Sequence, residues 1–221
     1  MMRLGIDEAG RGPVIGSMFV AGVLLSKEAE ERLVEIGVRD SKSLTPKRRM
    51  KLLPIIFKEA KAVAVIERRP WEIDSVNINK LYIDSVISIL SLLRNHGYAF
   101  NEVLIDSTSS RNELINKVMK SVSRGVKVIV EDKADAKYPV VSAASIVAKC
   151  LRDTHITYLH LKYGDFGSGY PTDPKTVKWL SRFKSMSELP PIVRRSWGTL
   201  KRLGISVSDG EGILKWLRIR D

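Results

Sequence analysis

Cysteine is almost absent from this chain. Cys150 is the only one in 221 residues, which excludes an intramolecular disulfide and a thiolate zinc cluster. A reducing, intracellular setting fits that count, and the expected compartment is the cytoplasm. Histidine is scarce as well: there are three, and two of them, His155 and His160, stand five apart. Helical ligand pairs stand four apart, so these two point away from each other and read as ordinary helix residues. Long apolar runs are also missing. The longest early one, 14–25, contains Gly16 and Ser17 and is too short to span a bilayer. It follows an Asp-Glu-Arg loop rather than a basic segment, so neither a membrane span nor a signal peptide is expected. There is no internal repeat or low-complexity stretch, and nothing resembles a dimerisation seam, so a monomer is expected.

Positive charge is in surplus. The chain carries 37 Lys and Arg against 25 Asp and Glu, a net charge of +12. This favours a polyanionic partner such as nucleic acid or an anionic membrane surface. With 44% hydrophobic and 28% charged residues, the composition is that of an ordinary soluble domain. The length suits one domain with room for a small appendage.

Strands and helices interleave along the chain. Strands are expected at 3–6, 17–25, 62–67, 102–106 and 126–130. Helices are expected at 27–36, 46–60, 71–76, 79–96, 111–122, 138–162 and 175–184. Thr45-Pro46 is a helix start, with threonine as N-cap and proline in the first position. Residues 83, 86, 87, 90 and 93 form an apolar helical stripe, and Gly97 stands where a C-cap glycine belongs. The pattern argues an α/β sandwich with a mixed central sheet. The last quarter looks helical. The expected division is a sheet-bearing domain at 1–165 and a C-terminal helical extension at 166–221.

Carboxylates fall at three strand ends: Asp7 and Glu8 after the first, Asp106 closing the fourth, and Asp135 just beyond the fifth. Side chains at strand ends gather in the crevice where α/β sheets bind ligands. Four acids converging there repel one another unless a divalent cation neutralises them. Mg²⁺ suits oxygen ligands and keeps waters for a nucleophile. A two-metal site is the usual solution for in-line attack on a phosphodiester. Asp7 continues the apolar run Leu4-Gly5-Ile6, so partial enclosure is expected, where an unpaired carboxylate is costly. Neighbouring residues on a regular strand face opposite ways, so Glu8 reaches the same metal only if the chain turns. Gly10 and Gly12 suggest such a turn.

These residues resemble the ribonuclease HII family, closest to its archaeal-type members. The resemblance rests on Asp7-Glu8-Ala9-Gly10-Arg11-Gly12-Pro13, Asp-Ser-Lys-Ser-Leu-Thr at 40–45, Ile-Asp-Ser at 105–107 and the run from Lys133 to Ile146. Gly-Ser-Gly-Tyr-Pro-Thr-Asp-Pro at 167–174 and Arg-Arg-Ser-Trp at 194–197 complete it, in the family's order. It implies a ribonuclease H-like fold with a C-terminal helical extension. It also implies hydrolysis of the RNA strand of RNA–DNA hybrids and cleavage 5′ of a single ribonucleotide embedded in duplex DNA, leaving 3′-hydroxyl and 5′-phosphate ends. By motif position the catalytic, metal-binding acids are Asp7, Glu8, Asp106 and Asp135, with Mg²⁺ or Mn²⁺ as cofactor. Gly10-Arg11-Gly12 maps to the family's ribose-reading loop, and Tyr170 to its junction-sensing tyrosine. The 2′-hydroxyl that such a loop reads is what separates RNA from DNA. Asp132 lies outside the motif and reads as solvated.

Lys42 reads as a phosphate contact within 40–69, where nine basic residues face three acids. Arg194, Arg195, Lys201 and Arg202 suggest a similar basic face. Ala143 and Ala144 suit close packing of a helix on the sheet, and one of Ser142 and Ser145 is a candidate to hold Asp135 or a phosphate. Residues 204–221 match nothing in the family. Docking on the domain, substrate binding and contact with a partner such as a replication factor all stay open for them. Two other readings of the whole also remain: another ribonuclease H-like nuclease of resolvase or recombinase type, and a non-catalytic basic nucleic-acid binding module. The second gives no reason for acids at three strand ends.

Overall fold

The structure, a computed structural model, describes residues 1–38, 44–107 and 110–205. Two compact units emerge. The first comprises Met1–Arg11, Met18–Arg68 and Val76–Thr154, and the second comprises Gly12–Ser17, Arg69–Ser75 and the chain from His155 onward.

The first unit is built on a five-stranded sheet: β1 (Met2–Ala9), β2 (Met18–Ser26), β3 (Ala62–Arg68), β4 (Glu102–Asp106) and β5 (Lys127–Glu131). The order is β3-β2-β1-β4-β5. The pairs β1–β2 and β2–β3 are antiparallel, and β1–β4 and β4–β5 are parallel. This is the expected mixed sheet of an α/β, ribonuclease H-like fold. One boundary differs in a way that matters. β1 does not stop at Ile6 but runs on through the acids, with Asp7 opposite Ala21 and Glu8 opposite Val20. Acidic residues disfavour strands, yet the β2 ladder beside them keeps this central strand extended.

Alternation along β1 sends Leu4, Ile6 and Glu8 to one face and Gly5 and Asp7 to the other. On the first face Gly22 of β2 makes room for α4 (Ile78–Asn95): a Cβ on Gly22 would lie 2.6 Å from Ile89 Cγ2. Leu4 and Ile6 are wholly buried there, worth about 1.5–3 kcal/mol each. On the second face α7 (Pro139–Tyr163) comes closer still. Any Cβ on Gly5 would collide with the backbone carbonyl of Val140. Ser142, Ala143, Ala144 and Ser145 are fully buried on that helix, so small residues are what let its backbone approach the strand.

The helix starts follow local chemistry. Ser26 Oγ accepts the Ala29 N–H at the head of α1 (Lys27–Glu35), and Thr45 Oγ1 accepts that of Arg48 at the head of α2 (Pro46–Glu59). Asn77 Oδ1 caps α4 through the Asn79 N–H, and Gly97 beyond its end has φ 78°. After α5 (Arg111–Ser121) and β5, Lys133 adopts φ 56° and turns the chain into the short α6 (Ala134–Lys137).

The second unit contains α3 (Pro70–Ser75), residues 155–163 of α7, α8 (Pro174–Leu180) and α9 (Gly198–Arg202), joined by turns. Its core includes Phe166, Trp179, Leu180, Val193 and Leu200. α8 is shorter than the expected 175–184 because Phe183 folds back to pack edge-on against Trp179, ring centroids 5.0 Å apart. Among the described residues no helix is long and apolar enough to cross a membrane.

Candidate active site

Three of the four expected acids meet at one end of the sheet. Ile6 pairs with Ile105, which places Asp7 and Asp106 on the next rung of neighbouring parallel strands. Asp7, 4% exposed, accepts the Glu8 N–H at 2.8 Å and a hydrogen bond from the hydroxyl of Ser145 on α7. Asp106 Oδ1 accepts the Ala134 N–H at 2.8 Å, which fixes it against the start of α6. Asp135 follows one residue later, 1% exposed, with Lys149 Nζ 3.9 Å from its Oδ2.

Glu8 reaches this region without a turn. It lies on the α4 face of β1, where Tyr82 and Asn79 receive it through Arg11. The Arg11 guanidinium is 3.6 Å from Glu8 Oε1, donates to Asn79 Oδ1, and sits 5.6 Å from the Tyr82 ring centroid. The Tyr82 hydroxyl in turn donates to the Asp106 carbonyl at 3.1 Å. The expectation that the glycines swing Glu8 inward is therefore corrected. The strand persists, and Asp7 and Glu8 project from opposite faces of its tip.

Burial pushes the Asp7 carboxyl well above the usual carboxylate range, and the neighbouring charges of Glu8 and Asp106 push it further. Glu8 is raised by burial, opposed by Arg11 and reinforced by Asp106. Tyr82 is raised well above an ordinary phenol by burial, with Glu8, Asp7 and Asp106 adding to the effect. Glu8 Oε2 is buried without a hydrogen-bond partner. Among the described residues, no three acidic, histidine or cysteine side chains close around a point as a complete ligand cage. A divalent cation that takes one or two carboxylates and leaves its other positions to water and phosphate still fits the acids present. An orphaned buried carboxylate oxygen among mutually repelling acids is the chemistry such an ion relieves.

The remaining expected residues divide between the units. Gly10, in the first, has φ 89°, a left-handed conformation that L side chains rarely adopt. Gly12 and Tyr170 lie together in the second: a Cβ on Gly12 would be 3.5 Å from Tyr170 Cε1, an ordinary contact. Lys42 falls outside the described residues, as do residues 206–221. Asp132 is exposed, as expected.

Ser145 holds Asp7, because α7 packs on the Asp7 face of β1. One expectation about a neighbouring residue changes. Arg194 does not contribute to a basic face: it is 0% exposed, donating Nε–H to the Gly16 carbonyl at 2.9 Å. Arg195 is half-buried, its N–H bound to Asp74 Oδ2 at 2.8 Å and its guanidinium to the Leu189 carbonyl at 3.0 Å. Tyr82 and Asn79 had drawn no notice as site residues. Tyr82 adjoins the α4 stripe at 83, 86, 90 and 93, and a buried phenol needs a polar partner; that was its one signal.

Buried acids at the tip of a mixed α/β sheet, in a chain with a large positive surplus, define a metal-dependent nuclease of the ribonuclease H-like class. The family model described as ribonuclease HII matches residues 4–200. A ribonuclease HII of Saccharolobus solfataricus is 46% identical over 206 residues, covering 90% of this chain and 92% of that one. The crystal structure of ribonuclease H2 from Pyrococcus horikoshii superposes with a TM-score of 0.83 at 39% identity, covering 92% of this chain and 97% of that one. A structure of the PCNA:RNase HII complex from Archaeoglobus fulgidus gives 0.78 at 37% identity, covering 89% and 95%. The chain belongs to the ribonuclease HII family. It is a metal-dependent endoribonuclease acting on the RNA strand of RNA–DNA hybrids.

Proposed function

We propose that Asp7, Glu8, Asp106 and Asp135 hold two divalent cations, Mg²⁺ or Mn²⁺, and that the enzyme also cuts 5′ of a single ribonucleotide in duplex DNA. The observation that carries this reading is the buried, unpartnered Glu8 Oε2 beside Asp7 and Asp106. A basic binding module has no use for such a group, since carboxylates repel phosphate. Cations bound there supply positive charge at the scissile phosphate and lower the pKa of an attacking water.

The chain's own residues do the positioning. Ser145 and the Glu8 N–H orient the Asp7 carboxylate, and the Ala134 N–H orients that of Asp106. Tyr82 secures the Asp106 backbone. Arg11 is engaged with Glu8 and Asn79, so the loop Gly10-Arg11-Gly12 reads the ribose 2′-hydroxyl through backbone groups. Tyr170 meets the deoxyribose that follows, and Lys42 contacts a phosphate. Water adds to phosphorus as the bond to the 3′ oxygen breaks. The water's proton leaves to solvent and the 3′ oxygen gains one, giving 3′-hydroxyl and 5′-phosphate ends.

In this reading residues 1–165 carry catalysis and 166–221 substrate contacts, in a cytoplasmic monomer. Residues 204–221 form a contact for a replication factor, the kind of partner present in the Archaeoglobus complex. The test substitutes Asp7→Asn, Glu8→Gln, Asp106→Asn and Asp135→Asn one at a time. Each variant is expected to lose hybrid cleavage by several orders of magnitude while binding the hybrid nearly as tightly. Any variant that cuts at the parent's rate removes its residue from the set, and four such variants sink the site.

A further inference from the structure

The run Arg194-Arg195-Ser196-Trp197 has a structural role that basic charge alone does not explain. Backbone groups of the segment Gly12–Ser17 hydrogen-bond to two places within its own unit. Val14 and Ile15 donate N–H to the Gly169 carbonyl at 2.8 and 3.2 Å, and Gly169 immediately precedes Tyr170. Gly16 donates to Ile192, and Val14 accepts from the Arg194 N–H, both at 2.8 Å. Side chains complete the frame. Trp197 Nε1–H donates to the Gly12 carbonyl at 3.1 Å. The Arg194 guanidinium lies 4.9 Å from the Trp197 ring centroid while its Nε–H holds Gly16.

Arg194 is wholly buried, and the charges that act on it are those of Asp74 and Tyr170. Asp74 on α3 closes the same segment from outside, accepting the N–H groups of Arg195 and Ser196 at 2.8 and 2.9 Å. At Gly169, φ 79° and a 3.0 Å approach of a would-be Cβ to the Ile15 carbonyl leave no room for a side chain. Gly12 and Tyr170 are thus fixed to one rigid assembly, and its centre is a buried cation capped by an indole.

We propose that Arg194 and Trp197 are positioning residues that hold Gly12 and Tyr170 in register, so that they set discrimination of an isolated ribonucleotide without contacting phosphate. The proposal rests on reading Gly12 and Tyr170 as the ribose-contacting pair. Arg194 acts through Trp197 and Gly16, and Trp197 through the Gly12 carbonyl.

The test compares the parent with Trp197→Phe, Arg194→Gln, Tyr170→Phe and the Trp197→Phe/Tyr170→Phe double variant. The substrates are a duplex with one ribonucleotide and an all-RNA strand paired to DNA. Trp197→Phe keeps an aromatic ring over Arg194 but removes the N–H donor together with part of the indole's contact area. It is expected to lower kcat on the single-ribonucleotide duplex by about three- to tenfold, the effect of one lost hydrogen bond, with KM unchanged. The loss on the hybrid is smaller, and the double variant loses less than the product of the two single losses. In binding measured with chelator, Arg194→Gln leaves the slope of log affinity against log salt unchanged. A slope reduced by about 0.9 would instead mark Arg194 as a phosphate contact and overturn the proposal. So would a Trp197→Phe enzyme with parental kcat on both substrates, or losses that simply multiply in the double variant. If Arg194→Gln fails to fold, the Trp197→Phe arms still decide. A Tyr170→Phe enzyme identical to the parent would remove the ribose-reading premise itself; an impaired one beside a normal Trp197→Phe would remove only the positioning.

Discussion

Asp7→Asn should make the metal-free protein more stable while destroying its activity. In chelator the Asp7 carboxylate is 4% exposed beside Glu8 and Asp106. The carboxamide keeps an oxygen for the Glu8 N–H and presents an N–H₂ to Ser145, whose hydroxyl then accepts. Packing and hydrogen bonds survive, and a buried like charge disappears. Relief of that penalty is worth about 1–3 kcal/mol. With an unfolding entropy of about 2.1 cal/mol/K per residue, each kcal/mol moves Tm by about 2 °C in a chain of 221 residues. Thermal melts in chelator at neutral pH should therefore place Asp7→Asn about 2–6 °C above the parent. Because the folded pKa of Asp7 is raised, the parent's folded state holds its proton more tightly than the unfolded state. The stability this adds is complete below the unfolded value of 3.8 and is lost as pH rises through the folded one. The gap between variant and parent should accordingly open as pH rises above that ordinary value and close below it. Saturating Mg²⁺ narrows the gap: at 100 times Kd it stabilises the parent by about 2.7 kcal/mol and the variant by less. A variant that melts below the parent in chelator, or equal shifts of both with Mg²⁺, would refute the repelling-acid account.

Two further outcomes follow from the second unit. Asp173 caps α8 and binds the Ser168 N–H at 2.6 Å and the Lys175 N–H at 2.9 Å, and these bonds hold its carboxyl down to about 2. A lowered carboxyl stabilises above the unfolded 3.8 and loses that stability as pH falls through about 2. Asp173→Asn should thus melt below the parent at neutral pH and converge with it near pH 2; a gap independent of pH would show that charge is not the cause. Tyr170→Phe should slow cleavage at a single ribonucleotide more than it weakens binding of the same duplex. Equal rates for variant and parent would remove the phenol from the mechanism.

Much of the fold could be read from local signals because those signals and the tertiary structure agree. Thr45-Pro46 starts α2, Pro139 starts α7, Gly97 follows α4, and the fourth strand runs from Glu102 to Asp106 as expected. The failures are instructive for the same reason. β1 extends to Ala9 because a neighbouring strand pairs with its acids, and no local rule carries that information. All four acids were expected to converge; Asp7, Glu8 and Asp106 lie close enough at the sheet tip to act on one another, but their supports were not legible. Ser145 lies ten residues after Asp135 and yet holds Asp7, and Tyr82 and Asn79 reach the site only because α4 covers the Glu8 face. Arg194 shows the limit of charge counting. Its sequence neighbourhood reads as a basic surface, while its bonds to Gly16 and its place under Trp197 put it in the interior.

The central claim is that acids at the tip of β1 and β4 cut beside a ribose read by the loop that follows them. A DNA duplex with one ribonucleotide, incubated with the enzyme and Mg²⁺ or Mn²⁺ and mapped at nucleotide resolution, tests it most directly. The predicted result is a single break immediately 5′ of the ribonucleotide, leaving a 3′-hydroxyl and a 5′-phosphate, with the matching all-DNA duplex intact. Cleavage spread evenly along both duplexes would contradict it.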